Sequence, residues 1–310
     1  MELDYFVVDV FSGKALAGNP LAVVMNSVGL STEQMLAIAR EFNLSETTFV
    51  ERRSAELERA EGVRVRIFTT LEELPFAGHP TLGTASVLKL HFPDAAEGDT
   101  VRLALNVGCV PVQFGDTPVG STEGESGALF GEMTQRDAEF GAELDPVEVA
   151  RLTGLTGYDL YPGLTPQVVS TGTAFAIVVL RSHEALARLR VSLREATPWL
   201  RERGARWFYV VAPTGTKEPG WRARMQFEGG EDPATGSAAG CAIAFLVRYG
   251  AVGQGVRILL RQGVEIGRPS DLFLSARMVD RVGNEEDIRV TDIRVAGSTV
   301  LVAKGRLFLP

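Results

Sequence analysis

Ala77-Gly78-His79-Pro80-Thr81-Leu82-Gly83-Thr84-Ala85 and Pro233-Ala234-Thr235-Gly236-Ser237-Ala238-Ala239-Gly240 each open a segment with no charged side chain until Lys89 or Arg248. Each reads as a tight loop entering a helix, where unbonded backbone N–H groups and the helix dipole favour an anion, so that a substrate carboxylate would be gripped there. The helices are apolar nearly all round, from Ala85 to Leu90 and from Ala238 to Val247, with Gly250 as a C-cap after Arg248. Helices of that kind are buried, and each is expected to run through the middle of a wrapped sheet. Either stretch alone reads equally as an ordinary core helix with a Gly-rich start. Their pairing points to the two ends of one active site.

The pairing extends outward. Ala17-Gly18-Asn19-Pro20-Leu21-Ala22-Val23-Val24 matches Thr171-Gly172-Thr173-Ala174-Phe175-Ala176-Ile177-Val178, a turn followed by an apolar strand. Helical patterns follow, Ser31 to Phe42 with Ser31 as N-cap and Glu33 in the first turn, and His183 to Arg203 with a break near Pro198. Thr47-Thr48-Phe49-Val50-Glu51 then answers Trp207-Phe208-Tyr209-Val210-Val211, and Val63-Arg64-Val65-Arg66-Ile67-Phe68 answers Ala223-Arg224-Met225-Gln226-Phe227. The offset from Ala17 to Ala77 is 60 residues and from Thr171 to Pro233 it is 62, which implies two half-molecules of one plan. Two local registers fit: Ala77 with Pro233, or His79-Pro80 with Asp232-Pro233.

A chain of 310 residues with 45% apolar content can bury two cores. The polar stretch Gly115 to Gly127 is the expected linker, giving domains of 1–118 and 124–295, with the strand 299–308 returning to the first. A formal charge of −8 without a basic run argues against nucleic acid or an anionic membrane surface as partner, so a small anionic metabolite must meet local positive potential. Glu2 and Asp4 precede the first apolar strand, and no run of about 18 apolar residues occurs, so a cytoplasmic protein that does not enter a membrane is expected. Cys109 and Cys241 lie far apart without CxxC spacing, and both read as reduced, buried core thiols.

Three scattered histidines, no HExxH and no Cys/His cluster argue against a metal site. Walker A and GxGxxG sequences are missing, and Gly236-Ser237-Ala238-Ala239-Gly240 is not a GxSxG elbow, so neither a nucleotide cofactor nor a serine hydrolase fits. Acid–base chemistry remains. Its candidate base is Glu46, in Asn43-Leu44-Ser45-Glu46-Thr47-Thr48-Phe49, just past an amphipathic helix and at the entrance to an apolar strand. By itself Glu46 reads also as a solvated loop residue. The matching stretch Gly204-Ala205-Arg206-Trp207-Phe208 has no carboxylate, which suggests one group that takes a proton from one position of the substrate and returns it to another. Enclosure would raise its pKa by desolvation toward the about 6–7 that suits proton shuttling near neutral pH.

The chain as a whole resembles the PhzF family of phenazine-biosynthesis-like isomerases. The resemblance is carried, in order, by Val8-Asp9-Val10-Phe11, Gly18-Asn19-Pro20-Leu21-Ala22-Val23, Glu41 to Val50, Arg66-Ile67-Phe68-Thr69, Leu74 to Ala85, Glu231 to Ala238, and Gln262-Gly263-Val264-Glu265-Ile266-Gly267-Arg268-Pro269-Ser270. It implies the diaminopimelate-epimerase-like fold: α+β, two similar domains, each a curved, barrel-like sheet around a central apolar helix, with the active site between them. It also implies a cofactor-independent isomerase that moves a proton between carbons of a small carboxylate, as with trans-2,3-dihydro-3-hydroxyanthranilate. The family's acid–base glutamate falls on Glu46 and its supporting residues on His79, Asp232 and Ser237. Gly78, Gly236 and Thr235 would bind substrate at the helix starts, and Asp232 would bind an amine or hydroxyl or help protonate the intermediate. A homodimer is expected. The competing class is a protein that binds a metabolite or a partner on the same fold without turnover.

Epimerases and racemases of this fold that use two facing thiols would place them at the start of each central helix. Those places are read here as Ala77 and Pro233, which argues against two-thiol chemistry. The Gln262 to Ser270 stretch has no assigned role.

Overall fold

The computed structural model of the protein describes residues 1–117, 127–215, 220–279 and 289–309. The expected linker and both domain boundaries, 118 and 124, lie largely or wholly outside them. The chain forms two compact units, Met1–Thr134 with Ala296–Pro310, and Gln135–Val295.

The first unit contains β1 (Glu2–Val10), β2 (Asn19–Val24), β3 (Glu46–Glu51), β4 (Val63–Phe68), β5 (Glu73–Leu74), β6 (Ala96–Glu97), β7 (Thr100–Leu105), β8 (Gly108–Gly115) and β9 (Leu129–Thr134). Its helices are α1 (Thr32–Phe42), α2 (Ala55–Glu61) and α3 (Gly78–His91). The second contains β10 (Glu139–Glu143), β11 (Gln167–Ser170), β12 (Ala174–Val179), β13 (Trp207–Pro213), β14 (Trp221–Arg224), β15 (Gln226–Phe227), β16 (Gly230–Glu231), β17 (Ile258–Gln262) and β18 (Ser270–Val279). Its helices are α4 (Pro146–Thr153), α5 (His183–Ala187), α6 (Leu193–Glu202) and α7 (Gly236–Arg248), and the long β19 (Arg289–Phe308) enters the first unit at Ala296.

Strand pairing shows the repeat. In the first unit β1–β2 is antiparallel, β2–β3 parallel, β3–β4 antiparallel, β4–β7 parallel and β7–β8 antiparallel. The second unit repeats the series as β11–β12, β12–β13, β13–β14, β14–β17 and β17–β18. Parallel neighbours need a crossover, and here every crossover carries a helix. One crossover runs outside the sheet (α1; α5 and α6) and the next runs through its inside (α3; α7). The ring of the first unit closes where β19 pairs with both β1 and β9. That of the second closes where Ala138 N–H and Gln135 N–H donate to the carbonyls of Val290 and Ile293.

Burial follows from this layering. On β13, Phe208, Val210 and Ala212 face the outer core with Leu186 and Leu200, while the alternate Tyr209 and Val211 are equally buried. A strand covered on both faces reads as a continuous apolar run, as Phe208 to Ala212 does. The outer core of the first unit joins Met35 and Ile38 of α1 to Val24, Phe49 and Phe68. Inside, every residue from Gly78 to Leu88 is buried, and a Cβ on Gly83 would come within 2.7 Å of Leu21 Cδ2 and Val10 Cγ2. The glycine is what lets the helix lie this close to the sheet. Among the described residues no helix is long and apolar enough to cross a membrane.

Three expectations are corrected. The helix expected over His183 to Arg203 is two helices, and Pro198 lies within α6. The break comes earlier, where Arg190 and Ser192 N–H groups donate to Thr153 and Leu152 carbonyls at the end of α4. Cys109 is exposed, because Val112 and Phe114 set the inward face of β8 and the odd-numbered positions point away from it. Finally, α7 begins at Gly236 with Thr235 as N-cap, so the residue equivalent to Ala77, the N-cap of α3, is Thr235 rather than Pro233. The short β15–β16 hairpin ahead of α7 displaces the count.

Candidate active site

Glu46 is delivered to the head of β3 by the end of α1. The C-cap Asn43 takes a left-handed φ of 52°, which turns the chain out of the helix, and three residues later Glu46 pairs with Leu21 across the parallel β2–β3 ladder. Asn19, first in β2, thereby lies near Glu46, and His79 enters as the second residue of α3. The helix is held at the required rotation by a 2.8 Å hydrogen bond between the hydroxyls of Thr48 and Thr84.

His79 is 4% exposed and Asn19 is fully buried. The Asn19 carboxamide nitrogen lies 3.3 Å from Nδ1 of His79, and His79 Nε2 lies 3.4 Å from Glu46 Oε2. Burial pushes the His79 imidazole down from its ordinary value to about 3, so it is neutral at pH 7. An amide N–H can only donate, so Nδ1 is the acceptor and the ring proton sits on Nε2, facing the carboxylate. The contact is therefore a neutral N–H presented to Glu46 rather than an ion pair. At 3.4 Å it is longer than an ordinary N–H···O bond, and His79 Nε2 is a buried donor with no hydrogen-bond partner.

Side-chain caps close four of the other helices, and α6, whose N-cap Ser192 makes no such bond, carries Glu195 in its first turn. The side chains of Ser31, Ser54, Asp145 and Ser182 cap α1, α2, α4 and α5. Ala77 and Thr235 make no such bond to α3 and α7, and neither helix has an acidic residue in its first turn. A helix start without a side-chain cap or a first-turn acid is one where an anion is favoured.

In the second unit Asp232, 8% exposed, occupies the turn ahead of α7, with its N–H bonded to the carbonyl of Met225 at 3.0 Å. Its Oδ2 accepts from the Thr235 hydroxyl at 2.6 Å, which is why that hydroxyl does not cap the helix. Ser237, partly buried, stands at the second position of α7, as His79 does in α3. Gly78 and Gly236 are the first residues of the two helices. The carbonyl of Gly236 accepts from Gln135 Nε2 at 2.9 Å, and Gln135 in turn accepts from Thr171.

Cys241, a turn inside α7, is buried and burial pushes its thiol up to about 12, so it stays protonated and unreactive. Among the described residues no three His, Cys, Asp or Glu side chains come together as a metal site. The structure brings the candidates Glu46 and His79 side by side and adds Asn19, to which the sequence analysis assigns no role. Its signal was a polar residue between Gly18 and Pro20 at the start of a strand that is otherwise wholly apolar.

A sheet rolled around its own crossover helix and built twice in one chain is the diaminopimelate-epimerase-like fold, a class that contains isomerases and epimerases. The chain belongs to the phenazine biosynthesis-like protein family, PhzC-PhzF, whose family model matches residues 8–305. It is 35% identical to the trans-2,3-dihydro-3-hydroxyanthranilate isomerase of Pseudomonas aeruginosa, over 98% of this chain and 99% of that one. Among solved structures it is similar to a Pseudomonas aeruginosa protein described as a predicted epimerase, with a TM-score of 0.77, 32% identity and coverage of 99% and 100%. A Bacillus anthracis protein of the PhzF family shares the fold with a TM-score of 0.82, at 24% identity and full coverage of both chains. The protein is an isomerase.

Proposed function

We propose that the protein moves a proton between carbon atoms of a small carboxylate-bearing substrate, without a cofactor, and that Glu46 is its acid and base. The Glu46 carboxylate takes a proton from a C–H bond made acidic by an adjacent unsaturated system. The electron pair released shifts the double bond, and the same carboxyl group returns the proton to a different carbon. The atoms balance with one C–H bond broken and one formed. The neutral His79 N–H steadies the carboxylate before the transfer and releases nothing itself. Gly78 at the start of α3, and separately Gly236 and Ser237 at the start of α7, are assigned on the family resemblance to binding substrate, through the backbone N–H groups that a helix start offers to an anion. Asp232 and Thr235 are assigned to the same reaction on the family resemblance.

The observation that carries this is the buried N–H of His79 facing Glu46 Oε2 at 3.4 Å, its tautomer set by Asn19. A solvated surface glutamate has no use for such a partner, and neither does a site that only binds. The relatives' named substrate, trans-2,3-dihydro-3-hydroxyanthranilate, is the first compound to try. A homodimer in the cytoplasm, with a small anionic metabolite as its partner, completes the reading. Light scattering checks the dimer.

The decisive experiment incubates that compound, and a panel of cyclic and acyclic amino and hydroxy acids, with the protein in deuterated water under NMR. Deuterium wash-in or isomerisation that disappears in Glu46→Gln supports the proposal. Binding without any exchange across the panel would replace it with a metabolite-binding role.

A further inference from the structure

The Gln262-Gly263 pair opens the one long motif left without a role by the sequence. Gln262 is fully buried at the end of β17, held between Ala223 of β14 and Ser270 of β18. Its side chain uses both ends. Oε1 accepts from the Tyr209 hydroxyl at 2.9 Å and from the Thr235 backbone N–H at 3.1 Å. Nε2 donates to the Asp232 carbonyl at 2.8 Å and to the Thr235 hydroxyl oxygen at 2.9 Å. Gly263 presses on the same turn: with a φ of 75°, a Cβ there would stand 2.7 Å from the carbonyl oxygen of Pro233 and 2.3 Å from that of Arg268.

The orientation of this amide is fixed by chemistry. The Thr235 N–H can only donate and the Asp232 carbonyl can only accept, so a flipped amide would oppose both at once. Polarity then propagates one way. The Thr235 oxygen accepts a hydrogen bond from Gln262 Nε2 and donates its own O–H to Asp232 Oδ2 at 2.6 Å. A carboxyl oxygen facing an incoming O–H is an acceptor.

We propose that Gln262 is a positioning residue that acts through Thr235: it commits Oδ2 of Asp232 as an acceptor, so that any proton Asp232 carries or delivers is on Oδ1. The proposal deepens the functional reading above and rests on it for Asp232's part in the reaction. It makes the motif at Gln262 the fastener of the catalytic turn, with the donor chain running from Gln262 through Thr235 to the carboxylate.

Neutron diffraction from protein crystals grown in deuterated water tests the chain without any substrate. Deuterium on the Thr235 hydroxyl aimed at Asp232 Oδ2 is the expected result, and deuterium on Oδ2 aimed at Thr235 overturns the proposal. The kinetic arm uses wash-in of deuterium into trans-2,3-dihydro-3-hydroxyanthranilate, or whichever panel compound exchanges. Thr235→Val keeps the shape but removes the relay, and Gln262→Glu keeps the length but removes the donor. Each should lower kcat about 10- to 100-fold with KM changed less than about threefold, while Thr235→Ser restores the rate to within about threefold of the parent. Equal loss in Thr235→Ser and Thr235→Val, or a change in KM alone, would reduce Gln262 to a packing role. Cooperative thermal melts of each variant separate loss of fold from loss of relay. A parent protein that exchanges nothing would remove the functional reading, and the neutron map would still decide the polarity of the network.

Discussion

Asn19 and His79 lie 60 positions apart in the chain, and a single 3.3 Å contact between the Asn19 carboxamide nitrogen and Nδ1 decides which nitrogen of the ring faces Glu46. The contact joins the first residue of a strand to the second residue of the helix that runs inside the sheet. It gives the carboxylate a neutral N–H, with the positive charge kept off the ring by burial.

Replacing Asn19 by Asp should therefore invert the ring. A carboxylate accepts, so the ring proton would move to Nδ1 and leave a lone pair on Nε2 facing the Glu46 carboxylate. Imidazole ¹⁵N shifts would report the Nε2–H tautomer in the parent and the Nδ1–H tautomer in Asn19→Asp. Proton exchange should fall by about 10- to 100-fold, with a smaller loss in Asn19→Gln. An unchanged tautomer would dissolve the assignment.

Glu46→Gln keeps shape and much of the hydrogen bonding but cannot take a proton. Exchange should drop by about 10²–10⁴, with ligand affinity, followed by calorimetry, close to that of the parent. Full activity in this variant would move the base elsewhere.

His79 also predicts how stability depends on pH. Its folded pKa, about 3, lies below the ordinary 6.5, so below pH 6.5 the unfolded chain binds a proton that the folded chain does not. Its contribution is thus neutral above pH 6.5 and turns destabilising as pH falls toward 3, by up to about 1.4 kcal/mol per pH unit. Urea melts between pH 7.5 and 5 should show a shallower loss in His79→Gln than in the parent. Parallel slopes would mean that His79 titrates normally.

Leu82, fully buried on α3, tests the inner helix as a structural core. Leu82→Ala removes about three methylene-sized groups from a closed ring of strands that cannot collapse onto the gap, at a cost of about 2–5 kcal/mol. A denaturant midpoint shift under about 1 kcal/mol would show that the ring relaxes around the helix.

The two thiols should react unequally. Cys109 is exposed and Cys241 is buried with its thiol pushed up to about 12, so alkylation of the native protein should add one label, and a second only after unfolding. Mass spectrometry counts the labels, and turnover should survive the first. Loss of activity with one label on Cys109 would contradict the placement of the reaction at Glu46.

Much of this protein is legible in one dimension. The apolar helices at Ala85 and Ala238, the strands that precede them and their repetition are local periodicities, and local pattern reports which faces are covered. Glu46 was legible as a carboxylate at the head of an apolar strand, and His79 through its place in the loop that opens a buried helix. The misreadings share a cause. Cys109 was judged by its neighbours' hydrophobicity, whereas its side of β8 is set by Val112 and Phe114. The sequence places the helix break near Pro198, whereas it comes just after α5, where the Arg190 and Ser192 N–H groups donate to the last carbonyls of α4. The start of α7 was displaced by a hairpin that no periodicity marks.

By itself, then, the sequence determined two curved sheets, each wrapped on an apolar helix, and the residue types of the candidate site, because burial and backbone chemistry are written in short-range pattern. Only the tertiary structure decided which atoms of those residues face one another. That Asn19 selects the His79 tautomer, and that Gln262 orients Thr235 toward Asp232, depend on hydrogen bonds between residues 60 and 27 positions apart, whose donors and acceptors acquire a direction only when the strands and helices that carry them are closed into a ring.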